Sequence, residues 1–143
     1  MIYCDTSVLI ASLTDEEHTA AAAEWLVAQP PGQLVASGWV DAELASGLAI
    51  KVRTGQLDSE SRARIMQTWR TVRRMSFEVV AIELEDFATA TQLLERPDLV
   101  LRAGDALHVA VTLRMNCALA TLDEGMAKAA TLAGLTVCPI ATA

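Results

Sequence analysis

The chain opens Met1-Ile2-Tyr3-Cys4-Asp5-Thr6-Ser7-Val8-Leu9-Ile10, and this stretch decides the fold. Ile2-Tyr3-Cys4 is an apolar run too short for a helix and suited to a buried strand. Asp5-Thr6-Ser7 follows at once with residue types that cap a helix N-terminus, and Val8, Leu9, Ile10 and Leu13 carry the helix onward. A strand that passes straight into a helix is the repeating unit of an α/β protein.

The same alternation continues outward from this unit. A second helix is expected from about Asp15 to Gln29, stopped by Pro30-Pro31-Gly32, with a strand at Leu34-Val35-Ala36. Val40, Leu44, Leu48 and Val52 recur every four residues and mark a helix ending near Thr54-Gly55. Asp58 begins another helix, carrying Ile65, Met66, Trp69 and Val72, and Phe77-Glu78-Val79-Val80 reads as the third strand. A helix over 84–94 ends before Pro97. Gly104-Asp105 then opens a helix through Met115, followed by a strand at Ala118-Leu119-Ala120, a helix over 124–132 and a strand at Thr136-Val137-Cys138. These elements predict a three-layer α/β/α domain over 1–143, a single unit with a parallel sheet of about five short strands and right-handed crossovers. Ligands of such sheets bind beyond the carboxyl ends of the strands.

Composition narrows the function classes. Apolar residues make up 52% of the 143 and aromatics 4%, so the core is built from Ala, Val, Leu and Ile. No apolar run approaches the ~20 residues needed to cross a bilayer, and the first residues lack the basic start of a signal peptide, so a cytoplasmic protein is expected. Cys4, Cys117 and Cys138 stand far apart among apolar neighbours and read as reduced packing residues. His18 and His108 have no partner at a metal-ligand spacing, so any metal is expected to be bound by oxygen. The net charge of -7 is unevenly spread: Lys51, Arg53, Arg62, Arg64, Arg70, Arg73 and Arg74 lie together against only Asp58 and Glu60. Exposed charges are screened beyond about 10 Å, so this stretch suits either an RNA backbone or simple solvation of a helix face.

Three element boundaries end in an aspartate: Asp5 after the first strand, Asp105 in the first turn of a helix, and Asp123 after Ala118-Leu119-Ala120. Each alone is explained by helix capping and the macrodipole. Asp105 strains that explanation most, because Ala106-Leu107-His108-Val109-Ala110-Val111-Thr112-Leu113 is apolar nearly all round and predicts a buried helix with a carboxylate in a low-dielectric wall. Two such charges about 4 Å apart repel by roughly 4 kcal/mol at an effective dielectric of about 20, so a cluster must take up protons or a cation. Mg²⁺ or Mn²⁺, held by one or two carboxylates with water and phosphate oxygens, is the economical answer, and the reaction class becomes phosphodiester hydrolysis.

Ile-Tyr-Cys-Asp5-Thr-Ser, Ala-Gly-Asp105-Ala-Leu-His and Ala-Thr-Leu-Asp123 together resemble the PIN domain of VapC-type toxins, over essentially the whole chain. The resemblance implies a metal-dependent endoribonuclease that leaves a 5′-phosphate and a 3′-hydroxyl, the toxin of a toxin-antitoxin pair. It implies Asp5 and Asp105 as principal metal ligands, with Asp123 and Glu43 completing the acidic pocket and Thr6 and Thr121 orienting the carboxylates. Glu43 rests on the resemblance, since periodicity does not choose between it and Asp41. A homodimer and a short antitoxin partner are implied too, and no membrane.

His108, one turn after Asp105, is read as a packing histidine and left outside the site. Trp25, Trp39 and Trp69 suit core packing or base stacking. A receiver domain is a poor rival, because Ala81-Ile82 stands where a phosphoacceptor Asp belongs and the last strand lacks the expected Lys. A haloacid-dehalogenase-type phosphatase would need an Asp at position 7, where Ser7 stands. A PIN fold that binds RNA or protein without catalysis is the remaining alternative.

Overall fold

The computed structural model describes residues 1–15 and 17–140. Its elements are β1 (Ile2–Cys4), α1 (Thr6–Leu13), α2 (Thr19–Val27), β2 (Leu34–Ser37), α3 (Gly38–Arg53), α4 (Ser59–Ser76), β3 (Phe77–Val80), α5 (Leu84–Leu94), α6 (Ala103–Arg114), β4 (Ala118–Ala120) and α7 (Glu124–Leu132). Four parallel strands stand in the order β3-β2-β1-β4 among the described residues. The first strand is thus central. The chain builds outward through β2 and β3 on one side, then crosses back to place β4 on the other.

Side chains alternate across the sheet, as the period of two requires. Tyr3, Val35 and Leu119 face a layer made by α5, α6 and α7, where Ala90, Leu93, Ala106, Val109, Val111, Met126 and Ala130 are buried. Cys4, Leu34 and Ala120 face the opposite layer with Val8 and Ala11 of α1 and Ala22 of α2. Ala36 continues that layer with Leu9, Trp69 of α4 and the Val40, Leu44, Leu48 stripe of α3. Trp69 also meets Phe77 edge to face, with ring centroids 5.3 Å apart. Helices cover both faces, so the three layers are those the sequence predicts.

Two boundaries differ from expectation. The fifth strand is reduced to one parallel bridge, Leu119 to Val137, held by Leu119 N–H to Thr136 O at 2.9 Å and Cys138 N–H to Leu119 O at 2.7 Å. Its neighbour explains this: β4 has three residues, and Thr121 beyond it turns its hydroxyl to Asp5. The second helix begins at Thr19 rather than near Asp15; Glu16 lies outside the described residues. The remaining limits match within a residue or two. Gly55, with φ +75, supplies the left-handed turn that ends α3.

Arg114, at the end of α6, fastens α5 to α6. Its guanidinium donates to both carboxylate oxygens of buried Asp86, at 2.8 and 3.0 Å, and to Ala81 O at 2.8 Å. Asp86 also accepts from Glu83 N–H, closing the first turn of α5.

Candidate active site

Because β1, β2 and β4 run parallel, the starts of α1, α3 and α7 and the N-terminal end of α6 meet at one edge of the sheet. A cleft of about 410 Å³ opens there, and Asp5, Glu43, Asp105 and Asp123 all line it. Thr6, Ser7, Trp39, Arg102, Gly104 and His108 complete much of its wall. The four acids proposed from sequence are thus brought together by four different elements.

Asp5 caps α1 and is 1% exposed. One carboxylate oxygen accepts from Ser7 Oγ at 2.6 Å, Ser7 N–H at 3.0 Å and Val8 N–H at 3.3 Å. The other accepts from Thr121 Oγ1 at 2.8 Å. Burial pushes the Asp5 carboxyl up despite these donors, Ser7 foremost among them. Asp123 caps α7 through Met126 N–H at 2.8 Å, and Thr121 Oγ1 accepts from Asp123 N–H at 3.0 Å, so one hydroxyl links the two aspartates. Asp105 accepts from Arg102 N–H at 3.1 Å and keeps 20% of its side chain exposed. Residues Ala106 to Thr112 are all buried as expected, yet the deeply buried carboxylate is Asp5, not Asp105.

On α3 the two candidate acids part company. Asp41 turns to α4, accepting from Trp69 Nε1 at 2.7 Å and pairing with Arg73 at 3.2 Å. Glu43 turns to the cleft, where its Oε2 accepts from Thr6 Oγ1 at 2.6 Å and lies 2.6 Å from His108 Nε2. Burial opposes the Glu43 charge, but hydrogen bonds from His108 first, then Thr6 and Trp39, hold its carboxyl below the usual value. Gly104 makes room for this: a Cβ there would lie 2.8 Å from Glu43 Oε1.

His108, read from sequence as packing, is buried and also lines the cleft. The available signal was its position three residues after Asp105, on the same helix face. Of the tryptophans, Trp25 and Trp69 pack in the core while Trp39 reaches the cleft, where its indole helps hold the Glu43 carboxyl down. In the basic stretch, Arg64 pairs with Glu60 and Arg73 with Asp41, while Arg70 and Arg74 are exposed. The three cysteines are free, and burial raises the Cys4 thiol. No helix among the described residues is long and apolar enough to cross a membrane.

Among the described residues no three acidic, histidine or cysteine side chains form a ready-made cage for a metal. The donor chemistry nevertheless fits a hard divalent ion, which takes one or two carboxylates and fills its other positions with water and phosphate. Four carboxylates share the cleft with Arg102 alone among Lys and Arg, and the most buried of them has no cation at ion-pair distance among the described residues.

Comparison with known proteins agrees with this geometry. The chain is 30% identical over 140 residues to a VapC ribonuclease of Mycobacterium bovis, across 98% of this chain and 96% of that protein. The fold matches FitAcB of Neisseria gonorrhoeae with a TM-score of 0.77, at 19% identity over 97% of both chains. It matches VapC20 of Mycobacterium tuberculosis, a sarcin-ricin loop cleaving toxin, with a TM-score of 0.73, at 19% identity over 97% of this chain and 100% of that one. A toxin-antitoxin complex from Klebsiella pneumoniae matches with a TM-score of 0.63, at 20% identity over 86% of this chain and 87% of that one. Residues 2–132 match the model of the PIN domain, and with the full-length VapC relative this shows that the chain belongs to the PIN domain family, of VapC type.

Proposed function

We propose that this chain is a metal-dependent endoribonuclease and the toxin of a toxin-antitoxin pair. The observation that carries the reading is the buried Asp5 carboxylate, without a cation opposite it among the described residues, in a cleft shared with Glu43, Asp105 and Asp123. The names of the full-length relative and of VapC20 support RNA as substrate.

Asp5 and Asp105 are the residues that would hold Mg²⁺ or Mn²⁺, with Asp123 and Glu43 completing the pocket. Such an ion supplies an acidified water and neutralises charge building on the phosphate. The chain's own residues do the rest. Ser7 and Thr121 fix the two oxygens of Asp5, and Thr121 aligns Asp123 with it. Glu43, kept ionised by its hydrogen-bond donors, is the carboxylate placed to take a proton from the attacking water. The water oxygen joins phosphorus as its proton passes to Glu43, the bond to the 3′ oxygen breaks, and that oxygen takes its proton from solvent. Arg70 and Arg74 on α4 offer exposed charge to the RNA backbone. The antitoxin partner is supported by the Klebsiella complex. For the homodimer, Leu84, Phe87 and Leu94 form an exposed apolar stripe along α5.

Purified protein is expected to cut RNA with Mg²⁺ or Mn²⁺ and to stop with EDTA. Asp5→Asn and Asp105→Asn should each lower the rate by about a thousandfold or more, roughly 4 kcal/mol in the barrier, with the fold intact by circular dichroism. Full activity in Asp5→Asn would overturn the assignment of this cleft as the active site, and wild-type protein that cuts no RNA would leave a binding module without catalysis. Induction in cells with and without the neighbouring gene tests the toxin assignment: growth arrest relieved by the neighbour supports it, and unimpaired growth of cells making active enzyme removes it.

A further inference from the structure

His108 does more than pack. It is 1% exposed and lies in the middle of a helix with an apolar face on the sheet. A packing histidine there needs one polar partner, and a backbone carbonyl would serve. This one places both ring nitrogens on side chains from other elements: Nε2 lies 2.6 Å from Glu43 Oε2 on α3, and Nδ1 lies 2.9 Å from the Tyr3 hydroxyl on β1. The Tyr3 hydroxyl in turn lies 2.7 Å from Ser37 Oγ at the end of β2.

The donors can be followed in one direction. A carboxylate only accepts, so His108 Nε2–H donates to Glu43. Tyr3, whose phenol burial pushes up, keeps its proton and donates it to Nδ1. Its oxygen then accepts from Ser37 Oγ–H. Tyr3 and His108 each have a partner on both sides, and the chain of bonds runs from Ser37 to one oxygen of Glu43.

Ser37 provides the second observation. It occupies the N-cap position of α3, where a serine hydroxyl ordinarily accepts from a backbone N–H of the first turn. Here the side chain makes no cap bond, and its hydroxyl serves Tyr3 instead. A local helix-stabilising contact is forgone in favour of a contact to the residue 34 positions earlier. Thr6 closes the arrangement from the other side, donating to the same Glu43 oxygen at 2.6 Å. Oε2 is thus held by two donors, and Oε1 is directed at the gap that Gly104 leaves.

We propose that Ser37, Tyr3 and His108 form a buried positioning line that holds Glu43 in its working orientation in the cleft, with His108 as the residue that touches it. The inference rests on the ribonuclease reading above and adds residues that act through Glu43 without touching substrate.

The test combines an NMR measurement on metal-free protein with a double-mutant cycle on RNA cleavage. In the unliganded protein, a slowly exchanging, downfield imidazole N–H proton should be attached to His108 Nε2, shifting upfield in Glu43→Gln. Its absence, or a proton on Nδ1 alone, overturns the proposal. In cleavage, Tyr3→Phe keeps the ring and should lower kcat about tenfold with KM within twofold, as for removal of an outer partner of a functional group. Ser37→Ala, one bond further away, should give a smaller loss of about twofold on the same argument. In the Glu43→Gln background neither variant, nor His108→Asn, should lower kcat further. Losses that multiply in that background mean a general packing role and overturn the proposal. Should Tyr3→Phe fail to fold, Ser37→Ala and the imidazole proton decide between the two. Wild-type protein that cuts no RNA would sink the ribonuclease reading by itself, because the proton is read without substrate.

Discussion

Asp5 and Asp86 are each 1% exposed and each sits at the start of a helix, but their surroundings differ in kind. Asp86 meets a guanidinium in two-pronged fashion: Arg114 donates at 2.8 and 3.0 Å, and the pair ties α5 to α6. Asp5 receives hydroxyls and amides, four donors between 2.6 and 3.3 Å, and no cation at ion-pair distance among the described residues. Dipoles orient a charge but neutralise less of it than a full countercharge does, so burial still pushes the Asp5 carboxyl up. One carboxylate has its counterion built into the fold; the other lines a cleft with no cation at ion-pair distance among the described residues. Buried charge by itself therefore says little about function, and the identity of the partner says much.

The largest effect on folding stability should come from removing the paired carboxylate. Asp86→Ala leaves Arg114 without its principal partner, and should cost about 3 kcal/mol of folding stability, the low end for breaking a buried pair, since Arg114 keeps a quarter of its side chain in solvent. RNA cleavage per folded molecule should be unchanged. Asp5→Asn should do the reverse, losing cleavage while keeping stability. Its pH dependence separates the two further. The folded chain holds the Asp5 proton more tightly than the unfolded chain, so that residue favours folding when protonated and costs stability as pH rises through its folded pKa. In metal-free urea denaturation, wild type should therefore lose stability relative to Asp5→Asn as pH climbs from about 4, near the unfolded carboxyl value, toward neutrality. A constant difference across that range would break the contrast drawn between the two aspartates.

A somewhat smaller effect is expected from adding the counterion. A ligand present at a hundredfold excess over its Kd stabilises the folded state by about 2.7 kcal/mol. Mn²⁺ or Mg²⁺ at that excess should raise the Tm of wild type and of Asp86→Ala alike, and leave Asp5→Asn and Asp105→Asn unmoved at the same concentration. A Tm rise in all four proteins would place the ion elsewhere than this cleft.

The sequence and the structure agree where local chemistry is decisive. Strand runs bounded by breakers, the four-residue stripe from Val40 to Leu48, and aspartates at element ends are all written in short windows, and they locate β1, α3 and the positions of Asp5, Asp105 and Asp123. These aspartates do cap or close helix starts, so the capping reading and the functional reading describe the same residues. What was not legible depends on distant partners. The last strand pairs with β4 through one bridge only, and nothing in Thr136-Val137-Cys138 records that. His108 was correctly read as buried, but its partners lie 65 and 105 residues away. The apolar helix after Asp105 points to that aspartate as the buried carboxylate, but the carboxylate the cleft buries deepest is Asp5, at the end of the central strand, and strand order is not written in a local window.

Asp41 and Glu43 carry the same comparison onto a single helix, and they set its smallest test. Two residues apart on α3, they are rotated by about 200° around its axis, so one faces α4 and the other faces α1 and α6. Asp41 resembles Asp86 in having its partners in the fold, Trp69 Nε1 at 2.7 Å and Arg73 at 3.2 Å, though a third of its side chain stays exposed. Asp41→Asn keeps a carbonyl acceptor for Trp69 and gives up the ion pair, which at that exposure is worth about 0.2–1 kcal/mol. A loss of that size in urea denaturation, with RNA cleavage within twofold of wild type, is the expected result. Glu43→Gln should leave stability nearly as it was and slow cleavage a hundredfold or so, within the range for losing a general base. Cleavage that falls in Asp41→Asn and survives in Glu43→Gln would reverse the assignment of the two acids.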